Sequence, residues 1–168
     1  MLTLNQIKYK LIAFFENHAQ IKDVKYEDDF DFSAERNLVY PICNIEYLSS
    51  TVSGKETSHS FKIVLGDLYD VNIKGQSDEI QSDMLLIAED FFSWAQDFEG
   101  FNFQKSVTIQ KFVDDKSDRT SGIVFRVSLT VIRTQNTCAI PAKDSSANYF
   151  TDGEDVVLIN GQAVLINE

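Results

Sequence analysis

Residues 77–98 hold the longest periodic segment of the chain. Ile80, Met84, Ile87, Ala88, Phe91, Trp94, Ala95 and Phe98 recur at helical spacing and make one apolar stripe. Ser77 or a neighbour is the expected cap. Asp78 and Glu79 fall in the first turn, where the helix macrodipole favours anions. A helix with one apolar stripe needs an apolar surface to lie on. The rest of the chain offers strands for that purpose, so the segment is expected to be the main helix packed across a sheet.

The strand signals come in pairs. Leu38 to Leu48 reads as a strand, with Pro41 arguing for an edge position or a bulge because proline gives no ladder donor. Ser49 to Ser58 reads as a polar, glycine-containing connection. His59 to Asp70 reads as the partner strand of a hairpin. Ser106–Val113 and Ile123–Arg133 form a second pair, joined by the polar linker Asp114–Gly122. In the latter strand Ile123, Phe125, Val127, Leu129 and Val131 share one face, the alternation of a half-buried antiparallel strand. Ahead of these, Thr3 and Gln6 form a capping-box pattern. Leu4, Ile7, Leu11, Phe14, Phe15 and His18 then predict a helix from Leu4 to Ala19, followed by a short strand, Ile21–Tyr26. The order predicts an α+β fold: a two-layer sandwich of a mainly antiparallel sheet with two helices on one face. Cys138-Ala-Ile-Pro141 closes this domain, residues 1–141.

Residues 142–168 are expected to form a polar tether and a C-terminal β-hairpin arm. Val156 to Ile166 reads Val-Val-Leu-Ile-Asn-Gly-Gln-Ala-Val-Leu-Ile, the strongest local signal in the sequence. Asn160-Gly161 suits a two-residue type I′ turn, whose central residues both need φ > 0. That turn sets Val157 opposite Val164 and Leu158 opposite Ala163. Both faces are then mostly apolar, and a lone hairpin is marginal in water. The arm must be covered, by its own domain or by another chain.

The chain has 168 residues, 43% of them hydrophobic, including thirteen Phe, enough for one domain with a sizeable core. Its 26 acids and 15 bases leave a formal net charge of −11, which repels nucleic-acid phosphate and anionic lipid unless the few bases cluster. The run Glu27, Asp28, Asp29 and Asp31 reads as a solvated acidic loop. Cys43 and Cys138 lack metal-ligand spacing and are expected to be free thiols in a reducing compartment. With no leader pattern and no long apolar run, a soluble protein made in the cytoplasm is expected, with no membrane partner.

Chemistry-bearing motifs are sparse. No glycine pattern makes a phosphate loop, and neither His18 nor His59 has a second histidine at metal spacing. A His–Cys or His–Ser catalytic set would need a tertiary coincidence that sequence does not display. Asp67 with Asp70, and Asp114 with Asp115, are the local carboxylate pairs, but both lie at strand ends where acids serve turns and solubility. The aromatic group Phe91, Phe92, Trp94, Phe98, Phe101 and Phe103 reads as core rather than a ligand box. Phe92 lies off the main stripe and is assigned to a second surface. No catalytic, metal or cofactor-binding residue is assigned, and no cofactor is expected.

The layout resembles the tail-terminator (tail-completion) proteins of tailed bacteriophages, particularly those of crAss-like phages. The residues behind the resemblance are Leu4 to His18 with Ile21-Lys-Asp-Val24, Tyr40-Pro41, Phe61 to Asp70, Glu79-Ile-Gln-Ser-Asp-Met-Leu-Leu-Ile-Ala-Glu-Asp-Phe91, Phe112-Val-Asp-Asp115 and Cys138-Ala-Ile-Pro141. They span about residues 3–141, and they are scattered short strings rather than a catalytic signature. The resemblance implies a non-enzymatic virion protein. It would be a small subunit of a homo-oligomeric ring, usually of six copies, that caps the tail tube, stops its polymerisation and meets the neck or connector. Such rings line a channel through which DNA passes without specific binding. Another head–tail joining subunit fits the same layout. An intracellular ligand-binding module and an enzyme using strand-end carboxylates are the readings from other classes. The surfaces chosen for assembly are the loops Ser49–Thr57 and Asp114–Gly122, with Asp114, Asp115 and Lys116, and the arm residues Val156, Val157, Leu158, Ile159, Val164, Leu165 and Ile166. The arm is expected either to fold back on its own sheet or to add to a neighbour's open edge.

Overall fold

A computed structural model describes residues 2–28, 38–114 and 119–133, and the backbone of 156–159 and 162–165. Two compact units result, Met1–Arg133 and Thr134–Glu168. The expected domain boundary at residues 141/142 lies outside the described residues.

The first unit is an α+β sandwich. Its elements run α1 (Leu4–Glu16), β1 (Asp23–Lys25), β2 (Ile42–Ser53), β3 (Glu56–Leu68), α2 (Gln76–Asp97), β4 (Asn102–Phe103), β5 (Ile109–Asp114) and β6 (Thr120–Ile132). The sheet order is β1-β2-β3-β6-β4, with β5 also pairing β6. All pairings are antiparallel except β1 with β2, which is parallel over three residues. The second unit contains β7 (Val156–Ile159) paired antiparallel with β8 (Gln162–Leu165).

The helices start and stop for local reasons. Thr3 Oγ1 accepts from the Gln6 amide at 3.3 Å, and Gln6 Oε1 accepts from the Thr3 amide at 2.8 Å, completing the capping box. α1 ends three residues earlier than expected, because Asn17 caps it with its Nδ2 on the Ala13 carbonyl at 2.6 Å. α2 is capped not by Ser77 but by Gly75, whose φ of +87° lies in the left-handed region.

Sheet and helices bury one continuous core. Cys43, Ile45, Phe61, Ile63, Leu65 and the β6 series Ile123, Phe125, Val127, Leu129 and Val131 supply the sheet side. Ile7, Leu11 and Phe15 of α1 and Ile80, Met84, Ile87, Ala88, Phe91 and Ala95 of α2 supply the helix side. Phe91 is the aromatic hub, with ring centroids 5.3–6.2 Å from Phe15, Phe92, Trp94, Phe103 and Phe125. Phe92 does not cover a second surface: its ring packs on Phe103 and Phe125 at the core margin.

Several sequence expectations on the sheet need correction. Pro41 lies before β2 rather than within an edge strand, and its carbonyl accepts from the Lys22 amide. The bulge sits further on, between Tyr47 and Ser49. Ser49–Ser58 is not a loop. Both strands run on to a two-residue turn at Gly54-Lys55, with Ser53 paired to Glu56. Gly54 takes a φ of +54° at the first turn position, where glycine is favoured. Thr120–Gly122, expected as linker, is already β6, and it packs tightly. A Cβ added at Gly122 would meet the Leu65 carbonyl oxygen at 2.0 Å and Gly66 Cα at 2.8 Å.

Candidate functional site

The sheet's second face shows what the helices leave uncovered. At one end Ile42 and Val64 are buried under Leu38, Tyr40, Phe112 and Val124. The middle is polar. Alternation along antiparallel strands puts Glu46, Lys62 and Arg126 in one row across β2, β3 and β6. Lys62 Nζ meets Glu46 Oε2 at 2.5 Å, with the carboxylate side chain only 11% exposed. Arg126 has no acid partner among the described residues.

Around this row lies an open trough of about 750 Å³, lined by Leu48, Ser49, Ser60, Lys62, Gln104, Ser106, Thr108, Gln110, Val124, Arg126 and Ser128 among others. Among the described lining residues there is no Asp or Glu, and Glu46 of the adjoining row is nearly buried and paired to Lys62. Gln104 fixes one wall by acting as a surrogate strand residue. Its Nε2 donates to the Arg126 carbonyl at 3.1 Å, and its Oε1 accepts from the Ser128 amide at 3.0 Å. Ser60 and Ser128 hydroxyls sit 3.2 Å apart across the floor. Such a surface offers hydroxyl, amide and cationic donors to an acidic partner.

Beyond Asn44, β1 no longer pairs with β2. Among the described residues the outer edge of β2 is therefore open from Ile45 to Ser53. Every residue from Leu48 to Glu56 is exposed, Val52 to 58%. An unpaired edge with free backbone groups is a template for strand addition.

The hairpin also brings together a histidine and hydroxyls that sequence could not pair. Ser50 stands opposite His59 in the ladder, its Oγ 2.5 Å from His59 Nδ1 and 2.7 Å from the Tyr47 hydroxyl. Burial holds the His59 imidazole below its ordinary pKa of 6.5. No acid orients the ring among the described residues, so the trio reads as a satisfied polar cluster. The signal that locates it is the Gly54-Lys55 turn, which fixes the register of the flanking Ser and Thr residues.

The remaining chemistry-bearing residues serve structure. His18 Nε2 lies 3.3 Å from Asp90 Oδ2, tying the end of α1 to α2. Asp70 Oδ1 accepts from the Asn72 amide and side chain, which hold its carboxyl below the usual range. Asp67 accepts from the following amide of Leu68. Gln81, buried though polar, donates to Ser121 Oγ at 3.1 Å, and Ser121 reaches the Ser77 hydroxyl at 2.8 Å, locking α2 to β6. Cys43 is a free, fully buried thiol whose pKa desolvation raises well above its ordinary value. Cys138 lies outside the described residues. Among the described residues no group of three or more His, Cys, Asp or Glu could hold a metal ion, and no helix is long and apolar enough to cross a membrane.

Of the residues selected for assembly, Asp114 ends β5, in register with Thr120. Asp115, Lys116 and Ile166 lie outside the described residues. In the arm, Val156 pairs with Leu165, Val157 with Val164 and Leu158 with Ala163, the register expected from a two-residue turn, and Ile159 pairs with Gln162. Residues 160 and 161 themselves lie outside the described residues. No protein-family model matches the chain, and no curated protein matches it in sequence.

Proposed function

We propose that the chain is a self-assembling structural subunit of a phage virion, a tail terminator. In this role copies close into a ring, of six by the family resemblance. The ring caps the tail-tube protein, stops its polymerisation and meets neck or connector proteins, while DNA passes through without specific binding. The protein works in the virion tail after assembly in the host cytoplasm.

The observation that carries the reading is the outer half of the β2–β3 hairpin. Leu48–Glu56 is exposed along its whole length, and the β2 edge from Ile45 to Ser53 is unpaired among the described residues. Open edges of this length are ordinarily blunted or covered. The apolar hairpin β7–β8 has the complementary need, since neither of its faces suits water. Strand addition between copies satisfies both, and the net charge suits a channel wall that DNA slides past.

Light scattering after size-exclusion chromatography, with negative-stain micrographs, tests the proposal. The expected result is a ring of uniform mass. A monomer at every concentration sinks the proposal. Removal of residues 151–168 is expected to leave the Met1–Arg133 unit folded by circular dichroism while weakening assembly. Loss of folding on that truncation would assign the arm to the core of its own subunit.

A further inference from the structure

We propose that the outward face of α2 of one copy seats in the polar trough of the next. This inference rests on the assembling role argued above and names a contact between copies.

α2 carries six acids and no Lys or Arg over Gln76–Asp97. The side opposite its buried stripe presents Ser82, Leu86, Glu89 and Ser93 at i, i+4, i+7 and i+11. Leu86 is 55% exposed, an apolar knob within an acidic surround. Ser82 and Ser93 on either side leave room for close approach. An exposed apolar centre with a charged rim is the anatomy of a contact surface.

The trough is its complement in charge and in size. Lys62 and Arg126 supply cations, no Asp or Glu is among the described lining residues, and Leu48 and Val124 offer apolar contact for Leu86. Glu46 already engages Lys62, which leaves the Arg126 guanidinium as the uncommitted charge. Between β2 and the Gln104–Gln110 wall lie three strand spacings, about 14 Å. A helix with its side chains is about 10–12 Å across, so one helix fits.

The two surfaces lie on opposite layers of the sandwich, because α2 covers the sheet face that the trough does not use. A contact between them is heterologous, head to tail, and repeats from copy to copy. Charge opposition fixes the polarity of addition, since two troughs or two α2 faces repel each other.

The test uses the full chain and reads the mass by sedimentation or light scattering. Glu89→Arg and Arg126→Glu each alter an exposed side chain, so both variants are expected to fold, which circular dichroism checks. Each single reversal should raise the concentration needed for assembly about tenfold or more. The double reversal, with the charges exchanged, should return it to within about threefold of the parent. Single reversals that assemble like the parent, or a double reversal as weak as either single, overturn this contact and leave the assembling role standing. A parent chain that stays monomeric overturns both.

Discussion

One hairpin spans two environments. The first half of β2, Ile42 to Glu46, is buried on both sides, and the second half, from Leu48, is exposed throughout. β3 shows the same division, buried at Phe61, Ile63, Val64, Leu65 and Gly66 and more open from Glu56 to Ser58. The backbone ladder is continuous across the change apart from the bulge at Tyr47/Ser49. Hydrogen bonding therefore does not mark the boundary; side-chain composition and covering elements do. The inner half meets α1 and α2 through large apolar groups. The outer half is Ser, Thr and Val, residues that a strand tolerates but that close no core by themselves.

The largest expected effect lies where the inner half meets the helices. Phe91→Ala removes the ring shared by both helices and the sheet, and should destabilise the fold by about 3–5 kcal/mol in urea unfolding. Next comes Gly122→Ala. The added methyl meets β3 backbone rather than a movable side chain, and a loss of about 1–3 kcal/mol is expected by the same measurement. If Gly122→Ala proved neutral, β3 and β6 would be able to separate there without strain.

A smaller effect probes the join between the halves. The buried His59 has its folded-state pKa below the ordinary 6.5, so the unfolded chain binds the proton more readily. Its contribution is therefore intact above pH 6.5 and is lost as pH falls from there through the folded value. His59→Gln keeps a polar partner for Ser50 and should flatten that part of the stability profile. An unchanged acid limb would assign the dependence to other groups. The smallest effect on folding is expected at the outer tip. Val52→Lys should shift stability by no more than about 0.5 kcal/mol. It should nevertheless weaken assembly in the mass measurement, because a lysine on an open edge discourages strand addition.

Much of the core was legible in the sequence, and the reason is periodicity. The α2 stripe from Ile80 to Ala95, apart from the half-buried Trp94, and the β6 alternation from Ile123 to Val131 bury the residues that their spacing selects. The extent of the strands was not legible beyond the apolar stretches. Ser49–Ser53 and Glu56–Ser58 look like loop by composition, yet they are paired residue by residue, because the turn at Gly54 carries the register outward from the buried half. The two residues of β4 are too short to show a period and are held by a longer neighbour, whereas β1 falls inside the short strand expected at Ile21–Tyr26. Gln81 is polar and yet buried, since Ser77, Ser121 and the Phe112 carbonyl give its amide partners that only the folded chain brings near. The trough stayed hidden for a related reason. Lys62 and Arg126 are 64 positions apart and become neighbours only through the β3–β6 register.

Where β1 ends, the pairing with β2 is finished by a carboxamide instead of main chain. Asn44, 1% exposed, accepts from the Glu27 amide and donates to the Glu27 carbonyl, both at 3.2 Å. This side chain works as a hasp, holding the departing chain to the sheet for one more rung. An Asn44→Asp change would set two lone-pair-bearing oxygens against each other at that rung. The hasp would open, and the chain leaving β1 would lose its tie to the sheet at Glu27.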